Sequence, residues 1–365
     1  MDQPGSAATA PPGGAPSGPL TIALDACGAD GGPEVIAAGA EAVAAEGIRV
    51  RAFGLAPELE ELAGIDRVEL RRAEDAISNE EEPVRAVHQK PRSSIVLAAQ
   101  DVAEGYSHAL VSAGSTGAAL AAALFALRRL RGVHRPAIAV PIPLPDRPGE
   151  KVLLLDAGAN AEVRPQHLVQ FAYLGAAFSE AVLEVESPRV ALLSVGEERG
   201  KGTPTVVAAH EALIGAGGIS FTGNVEGRDV VEGAADVVVT DGFTGNVALK
   251  TMEGTAKAVG GAVRGAARSG FFAALGGLLM RRSLERLRRD LDPDTTGGAI
   301  LLGLRGVTVV AHGSSGPEGI ANAIRLAERS ARERVVLRTA ELLERSGASR
   351  AAVRASLERD RSATA

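Results

Sequence analysis

The 365-residue sequence predicts an α/β protein in which a mostly parallel sheet is covered by helices on both faces. Short apolar runs alternate with Ala-rich helical segments along most of the chain from Leu20 onward. Several runs are near-continuous Val, Leu and Ile, as strands buried on both faces require; residues 236–240, with three successive valines, are the plainest. Most runs lead into a glycine-containing turn and then a helix, the rhythm of βαβ units.

Taken in order, residues 1–19 are rich in Ala, Pro, Gly and Ser without Lys or Arg, which predicts a disordered tail and not a signal peptide. A strand follows at 20–24, then a polar turn over 25–32. Pro33 suits the first turn of a helix reaching about residue 46. A second strand at 48–53, a helix at 57–63 and a third strand at 67–72 continue the pattern. Helical stretches over 83–104 are interrupted by Pro91, and a strand at 109–112 runs into an Ala/Leu helix. Further strands are expected at 137–141, 152–155, 190–194, 219–221, 237–240 and 307–311. One domain is expected over 20–345, with a C-terminal helix or tail over 346–365.

Hydrophobic residues make up 45% of the chain but aromatics only 3%, so the core must be built from Ala, Val, Leu and Ile. A net charge of −6 argues against nucleic acid as a partner. Cys27 is the only cysteine, which excludes an intrachain disulfide and fits a reducing, cytoplasmic setting. No apolar run reaches the roughly 18 residues of a membrane span. The six histidines lack metal-binding spacing, so no metal is expected.

Ligands of parallel α/β sheets bind beyond the C-terminal ends of the strands. Six loops there combine glycine with polar residues: 25–32, 114–117, 156–160, 196–203, 223–229 and 241–246, all expected at one sheet edge. The last opens the most suggestive stretch, a strand, a Gly-rich turn and a helix from Val247, with Asn246 and Lys250 one helical turn apart. Free N–H groups, an amide and an ammonium at one point suit an anion such as phosphate, although an ordinary βα loop has the same local signal. Glu197, Gly200 and Lys201 sit in a loop that resembles a Walker A motif but lacks its spacing and its Ser or Thr. Gly-x-Gly-x-x-Gly is also absent after the predicted strands, so neither ATP hydrolysis nor a dinucleotide cofactor is expected. His312, at a strand end beside small residues, has the chemistry of an acid, a base or a hydrogen-bond donor. Asp25, Asp156 and Asp241 suit Asx-type loop bonds, and Cys27 a small buried hydrophobe. Phe-Thr-Gly-Asn-Val occurs twice, at 221–225 and 243–247, too short an echo to mean duplication.

Residues 261–293 form an amphipathic helical excursion. Phe271, Phe272, Leu275, Leu278 and Leu279 precede Arg281 and Arg282, and seven arginines face one acid, Glu285, over 262–289. Met280, Leu284, Leu287 and Leu291 recur at helical spacing. Such a segment suits an anionic membrane surface, an acidic protein or the other subunit of a dimer, and a plain core helix stays open beside them.

The stretches LDACGADGGPEVIAAGA, VSAGSTGA, LLLDAGANAEVRPQHLVQFAYLGAAF, LLSVGEERGKGTPT, FTGNVEGRDVVEGAADVVVTDGFTGNVALKTMEG and GAILLGLRGVTVVAHGSS, in order from about Leu20 to Arg334, resemble the acyl-ACP:phosphate acyltransferases of bacterial phospholipid synthesis. The resemblance implies a Rossmann-like αβα sandwich similar to phosphate acetyltransferases and the isocitrate dehydrogenase group. It implies reversible transfer of a fatty acyl group from acyl carrier protein to inorganic phosphate, forming acyl phosphate without a cofactor. It also implies a cytoplasmic homodimer, peripherally attached to the inner face of the membrane, that supplies a membrane glycerol-3-phosphate acyltransferase. Cys27 stands where the family commonly has Met, Ala29 where it has Gly and Ser115 where it has Asn.

Phosphate oxygen attacks a thioester in such a reaction, so the protein must hold phosphate against the carbonyl and needs no nucleophile of its own. Lys201, Lys250, Asn224 and Asn246 are the candidates for phosphate, and Asn160 or His312 for the oxyanion. Asp25, Gly28, Gly114, Ser115, Thr116, Gly117, Glu197, Gly200, Asp241 and Gly245 are candidate substrate-binding residues. Two alternatives stay open: a short-chain acyl-CoA:phosphate acyltransferase of the same fold, and a non-enzymatic scaffold at a membrane surface.

Overall fold

The computed structural model describes residues 18–290 and 293–348; the expected N-terminal tail up to residue 17, Leu291 and the C-terminal segment from 349 lie outside them. Eleven strands among the described residues form one sheet: β1 (Thr21–Asp25), β2 (Arg49–Gly54), β3 (Val68–Arg72), β4 (Ala109–Ser112), β5 (Ala137–Pro143), β6 (Lys151–Leu155), β7 (Arg189–Leu193), β8 (Ser220–Val225), β9 (Val237–Val239), β10 (Ala299–Leu302) and β11 (Val307–Val310). Between them run α1 (Pro33–Ala45), α2 (Ala56–Glu61), α3 (Pro83–Gln89), α4 (Ser94–Ala103), α5 (Thr116–Ala126), α6 (Pro165–Ala181), α7 (Pro204–Leu213), α8 (Gly227–Glu232), α9 (Gly242–Ala267) and α10 (Phe271–Asp290). Two helices, α11 (Pro317–Arg332) and α12 (Val335–Arg345), close the described chain. Pro33, Pro165, Pro204 and Pro317 each sit in the first turn of a helix, where no N–H is needed.

The strand order is β3-β2-β1-β4-β11-β10-β5-β6-β9-β7-β8. Seven of the ten pairings are parallel, as the valine-rich runs predict. The three antiparallel ones, β11–β10, β10–β5 and β5–β6, all lie in the middle. Each reverses the strand sense, so β3, β2, β1, β4 and β11 run one way and β6, β9, β7 and β8 the other. This corrects the expectation of six loops at one edge. The loops after β1 and β4, with His312 after β11, leave one edge; those after β6, β7, β8 and β9 leave the opposite edge.

Both faces are covered, and the core is aliphatic. On one face α1 packs with α11, and α6 with α7 and α12; α6 is buried almost all round, with Phe171 and Phe178 at its centre. On the other, α3, α4 and α5 pack over Ala23, Leu110, Ile138, Leu301 and Val310, and Leu249 of α9 joins them. Helix α9 begins at the edge where β9 ends and crosses toward the edge where β11 ends. The strand β10 is absent from the sequence reading, and α9 starts five residues before the predicted Val247.

Candidate active site

At the edge where β1, β4 and β11 end, the loops are tied to one another by their own polar groups. Asp25 is buried opposite Ser112 in the β1–β4 register, and the Ser112 hydroxyl donates to its Oδ2 at 2.7 Å. The Cys27 N–H donates to Asp25 Oδ1 at 3.3 Å, and the Gly114 N–H to Ser112 Oγ at 3.1 Å. Gly28 has φ +92°, and a Cβ there would come within 2.8 Å of Gly114 Cα, so the two loops meet backbone to backbone. Burial pushes the Asp25 carboxyl up to about 6, against hydrogen bonds from Ser94, Ser112 and Cys27 that pull it down. Burial, with the Asp25 charge behind it, pushes the Cys27 thiol up to about 11. A thiol so held is no nucleophile at neutral pH. Ser115 is the N-cap of α5, its hydroxyl accepting from the Ala118 N–H at 3.4 Å, with Thr116 and Gly117 opening the helix.

The loop after β11 joins this group, since the Asp30 N–H donates to the Gly313 carbonyl at 2.9 Å. His312 is exposed there, and α9 brings the Lys250 ammonium 3.2 Å from its Nε2. On the other side of the ring, Nδ1 lies 3.2 Å from the Ser314 backbone N–H and 2.8 Å from Ser314 Oγ, so donors stand at both ring nitrogens. Glu253, one turn along α9, holds the same ammonium at 2.8 Å. Neither Glu253 nor Ser314 features in the sequence reading; the spacings Lys250/Glu253 and His312/Ser314 are the only sequence signals for them.

At the opposite edge, the loops after β6 and β9 are polar but largely satisfied. The Asp156 carboxylate accepts from the N–H groups of Ile138, Gly158, Ala159 and Asn160, at 2.8 to 3.2 Å. Asn160 is buried, and its amide donates to Pro136 O and to Asp156 Oδ2, each at 2.8 Å. Both N–H bonds are taken, which corrects the expectation that Asn160 donates to an oxyanion. Asp241 caps α9, accepting from the Thr244 N–H at 2.8 Å. Gly242 and Gly245, in the stretch expected to be a turn before the helix, are themselves helical, and they are glycine because of close approach. A Cβ on Gly242 would lie 2.8 Å from the Asn160 backbone, and one on Gly245 would overlap the Asp156 carbonyl oxygen. Asn246 is exposed and uses one N–H on the Ala157 carbonyl at 3.2 Å.

The loops after β7 and β8 form a third group. Lys201 is exposed, and its ammonium makes no ion pair among the described residues; Glu197 and Gly200 beside it are exposed too. Asn224 is buried, its Oδ1 2.8 Å from His210 Nδ1 and its amide donating to Glu198 O at 3.0 Å. Asn224 therefore braces the Lys201 loop, with one amide N–H on Glu198 O. Between α7 and the edge strand β8 lies a cavity of about 470 Å³, walled by Glu197, Arg199, His210, Ile219, Phe221 and Gly223.

Past Lys250, α9 is mostly exposed and packs with α10. Phe271 and Phe272 are 80% and 85% exposed, and Leu275, Leu278, Leu279, Arg281 and Arg282 are exposed as well. Among the described residues no helix is long and apolar enough to cross a membrane.

Comparison with known proteins agrees with this architecture. A family profile described as "Fatty acid synthesis protein" matches residues 20–338. A phosphate acyltransferase of Lacticaseibacillus casei is 42% identical over 305 residues, 82% of this chain and 89% of that protein. One of Elusimicrobium minutum is 43% identical over 318 residues, 85% of this chain and 92% of that protein. Among solved structures, a phosphotransacetylase from Streptococcus pyogenes superposes with a TM-score of 0.58 at 16% identity, covering 86% of this chain and 94% of that one, a likeness of fold.

Proposed function

The chain belongs to the fatty acid synthesis protein family and is an acyltransferase akin to the phosphate acyltransferases, and on that premise we propose that it moves a fatty acyl group from acyl carrier protein to inorganic phosphate. The observation that carries this reading is the Lys250 ammonium set 3.2 Å from His312 Nε2, beside glycine loops that bring backbone into contact with backbone.

An oxygen of hydrogen phosphate attacks the thioester carbonyl, the C–S bond breaks, and acyl phosphate and the carrier thiol are the products. Lys250 holds the phosphate dianion, and Glu253 fixes where the ammonium sits. The phosphate proton ends on the departing sulfur, and His312 carries it. A thiol of pKa near 8.5 leaves without a strong acid. Asn246 projects from the same face of α9 as Lys250, and Lys201 supplies a second ammonium for anionic parts of the substrates. Gly28, Gly114, Ser115, Thr116 and Gly117 line the acyl side, with Asp25 holding their loops together.

Lys250→Ala is expected to lower turnover by about two to three orders of magnitude, as loss of one electrostatic contact to a reacting group does. Lys201→Ala is expected to raise the phosphate requirement. Acyl phosphate formation, followed with an acyl-carrier donor and a short-chain acyl-CoA in parallel, tests both; wild-type kinetics in Lys250→Ala defeats the site. The same reading makes the protein a peripheral membrane homodimer that feeds a membrane glycerol-3-phosphate acyltransferase, with Phe271, Phe272, Leu275, Leu278 and Leu279 entering the lipid. Leu275→Glu with Leu278→Glu is expected to stay active in solution and to stop pelleting with anionic liposomes. Continued pelleting removes this helix as the anchor, and a shift to monomer makes it the subunit interface.

A further inference from the structure

The middle of the sheet, where strand sense reverses, carries a basic ridge that the reading above leaves unused. Between Glu104 and Asp146 the sequence has no Asp or Glu, but it has Arg128, Arg129, Arg131 and Arg135. All four are exposed. Arg305, in the turn between β10 and β11, and Arg164, just before α6, are exposed beside them in the fold. None of the six forms an ion pair among the described residues, including with Glu162, the acid nearest Arg164 in sequence.

The ridge is built, not loose. Arg129 and Leu304 form an antiparallel bridge, the Leu130 N–H donates to Gly303 O at 2.9 Å, and the Arg305 N–H donates to Arg128 O at 3.1 Å. Arg128 is held at φ +63°, a left-handed conformation that a non-glycine residue keeps only when its surroundings fix it. The Arg129 guanidinium donates to the His134 carbonyl, and the Arg305 Nε to the Arg129 carbonyl at 3.3 Å. The local field is positive: His134 and His167 lie with ring centroids 5.7 Å apart. Burial first, then His134, Arg135 and Arg164, hold the His167 imidazole down to about 4, and no carboxylate opposes them. The ridge adjoins the start of α9, because Asn160 donates to Pro136 O at 2.8 Å and accepts from the Gly242 N–H at 2.7 Å.

We propose that this ridge of Arg128, Arg129, Arg131, Arg135, Arg164 and Arg305 is where the acidic face of the acyl-carrying protein docks. The proposal rests on the reading of a carrier-bound acyl donor. Six cations without a carboxylate partner among the described residues, on a chain of net charge −6, mark a surface kept basic against the overall balance. The ridge differs from α10 in that the apolar residues between its arginines, Leu130 and Val133, are buried and not presented to lipid. Charge without an apolar edge suits a protein surface of opposite sign, which it steers and orients.

The test is steady-state kinetics of the full chain carrying Arg128→Glu, Arg131→Glu and Arg135→Glu, singly and together, with an acyl-carrier donor and an acyl-CoA donor, at low and high salt. The combined variant is expected to raise KM for the carrier-bound donor about tenfold or more, to leave kcat and the acyl-CoA parameters within about twofold, and to lose the salt dependence of that KM. If the combined variant does not fold, the single variants are judged by the same ratio of KM values. An unchanged carrier KM, an equal rise with both donors, or lost liposome binding in its place overturns the ridge as a carrier site. A wild-type protein inactive with the carrier-bound donor defeats the functional reading, and the ridge proposal with it.

Discussion

The pentapeptide Phe-Thr-Gly-Asn-Val occurs twice, and its two copies fold differently. Phe221–Val225 lies in β8, paired with β7, whereas Phe243–Val247 forms the first turns of α9. Two residues before the helical copy stands Asp241, whose Oδ1 and Oδ2 accept from the N–H and the hydroxyl of Thr244, each at 2.8 Å. Two residues before the strand copy stands Ile219, which has no acceptor to offer. The helical copy thus has a capping side chain that the strand copy lacks at that position, and the two copies meet different neighbours. Inside the pentapeptide the same residue types also do different things. Gly223 is needed for its φ of +109°, and Gly245 for the absence of a Cβ against Asp156. Asn224 is buried and committed to His210 and Glu198, while Asn246 stands exposed near Lys250.

Substitution in pairs sharpens that contrast, and the glycines should show it most. Gly245→Ala forces a methyl into the Asp156 carbonyl, and is expected to destabilise by about 3 kcal/mol or more. In Gly223→Ala the nearest atom is His210 Cε1 at 3.8 Å, so only the backbone conformation is strained, by about 1–2 kcal/mol. Urea unfolding of the two variants side by side measures the difference, and equal losses would break the distinction. The asparagines come next. Asn224→Ala strips partners from a buried site and should lose about 1–3 kcal/mol of stability. Asn246→Ala gives up one exposed bond, expected to matter by less than about 1 kcal/mol for folding while lowering turnover. If Asn246→Ala unfolds more readily and turns over normally, the roles of the two asparagines are reversed.

Much of the sheet is legible in the sequence because strands buried on both faces are written as Val- and Leu-rich runs of the right length. Ala299–Leu302 escapes because four apolar residues between glycines read equally well as a buried helix segment or a turn. Strand sense is not written in any one strand: it depends on which strands pair, and of the three central pairings that reverse it β5–β6 and β10–β11 join neighbours in sequence while β10–β5 joins segments far apart. The site is legible in the same uneven way. Lys250 and His312 can be picked out as chemistry-bearing residues, and their meeting follows from α9 crossing the sheet. Residue type alone does not separate Asn160 and Asn224, buried and bonded inside the fold, from the exposed Asn246, because burial and hydrogen-bond satisfaction are properties of the surroundings.

The position of β10 and β11 sets a timetable for the chain. β4 and β5 are consecutive in sequence, yet the two strands between them in the sheet are the last to leave the ribosome. At about 5–20 residues per second, the nascent chain spends many seconds as two half-sheets with open inner edges. Such edges invite pairing with other chains. The hairpin of β10 and β11 is therefore a late keystone: it joins the two halves into one sheet and brings His312, just after β11, to Lys250 on α9.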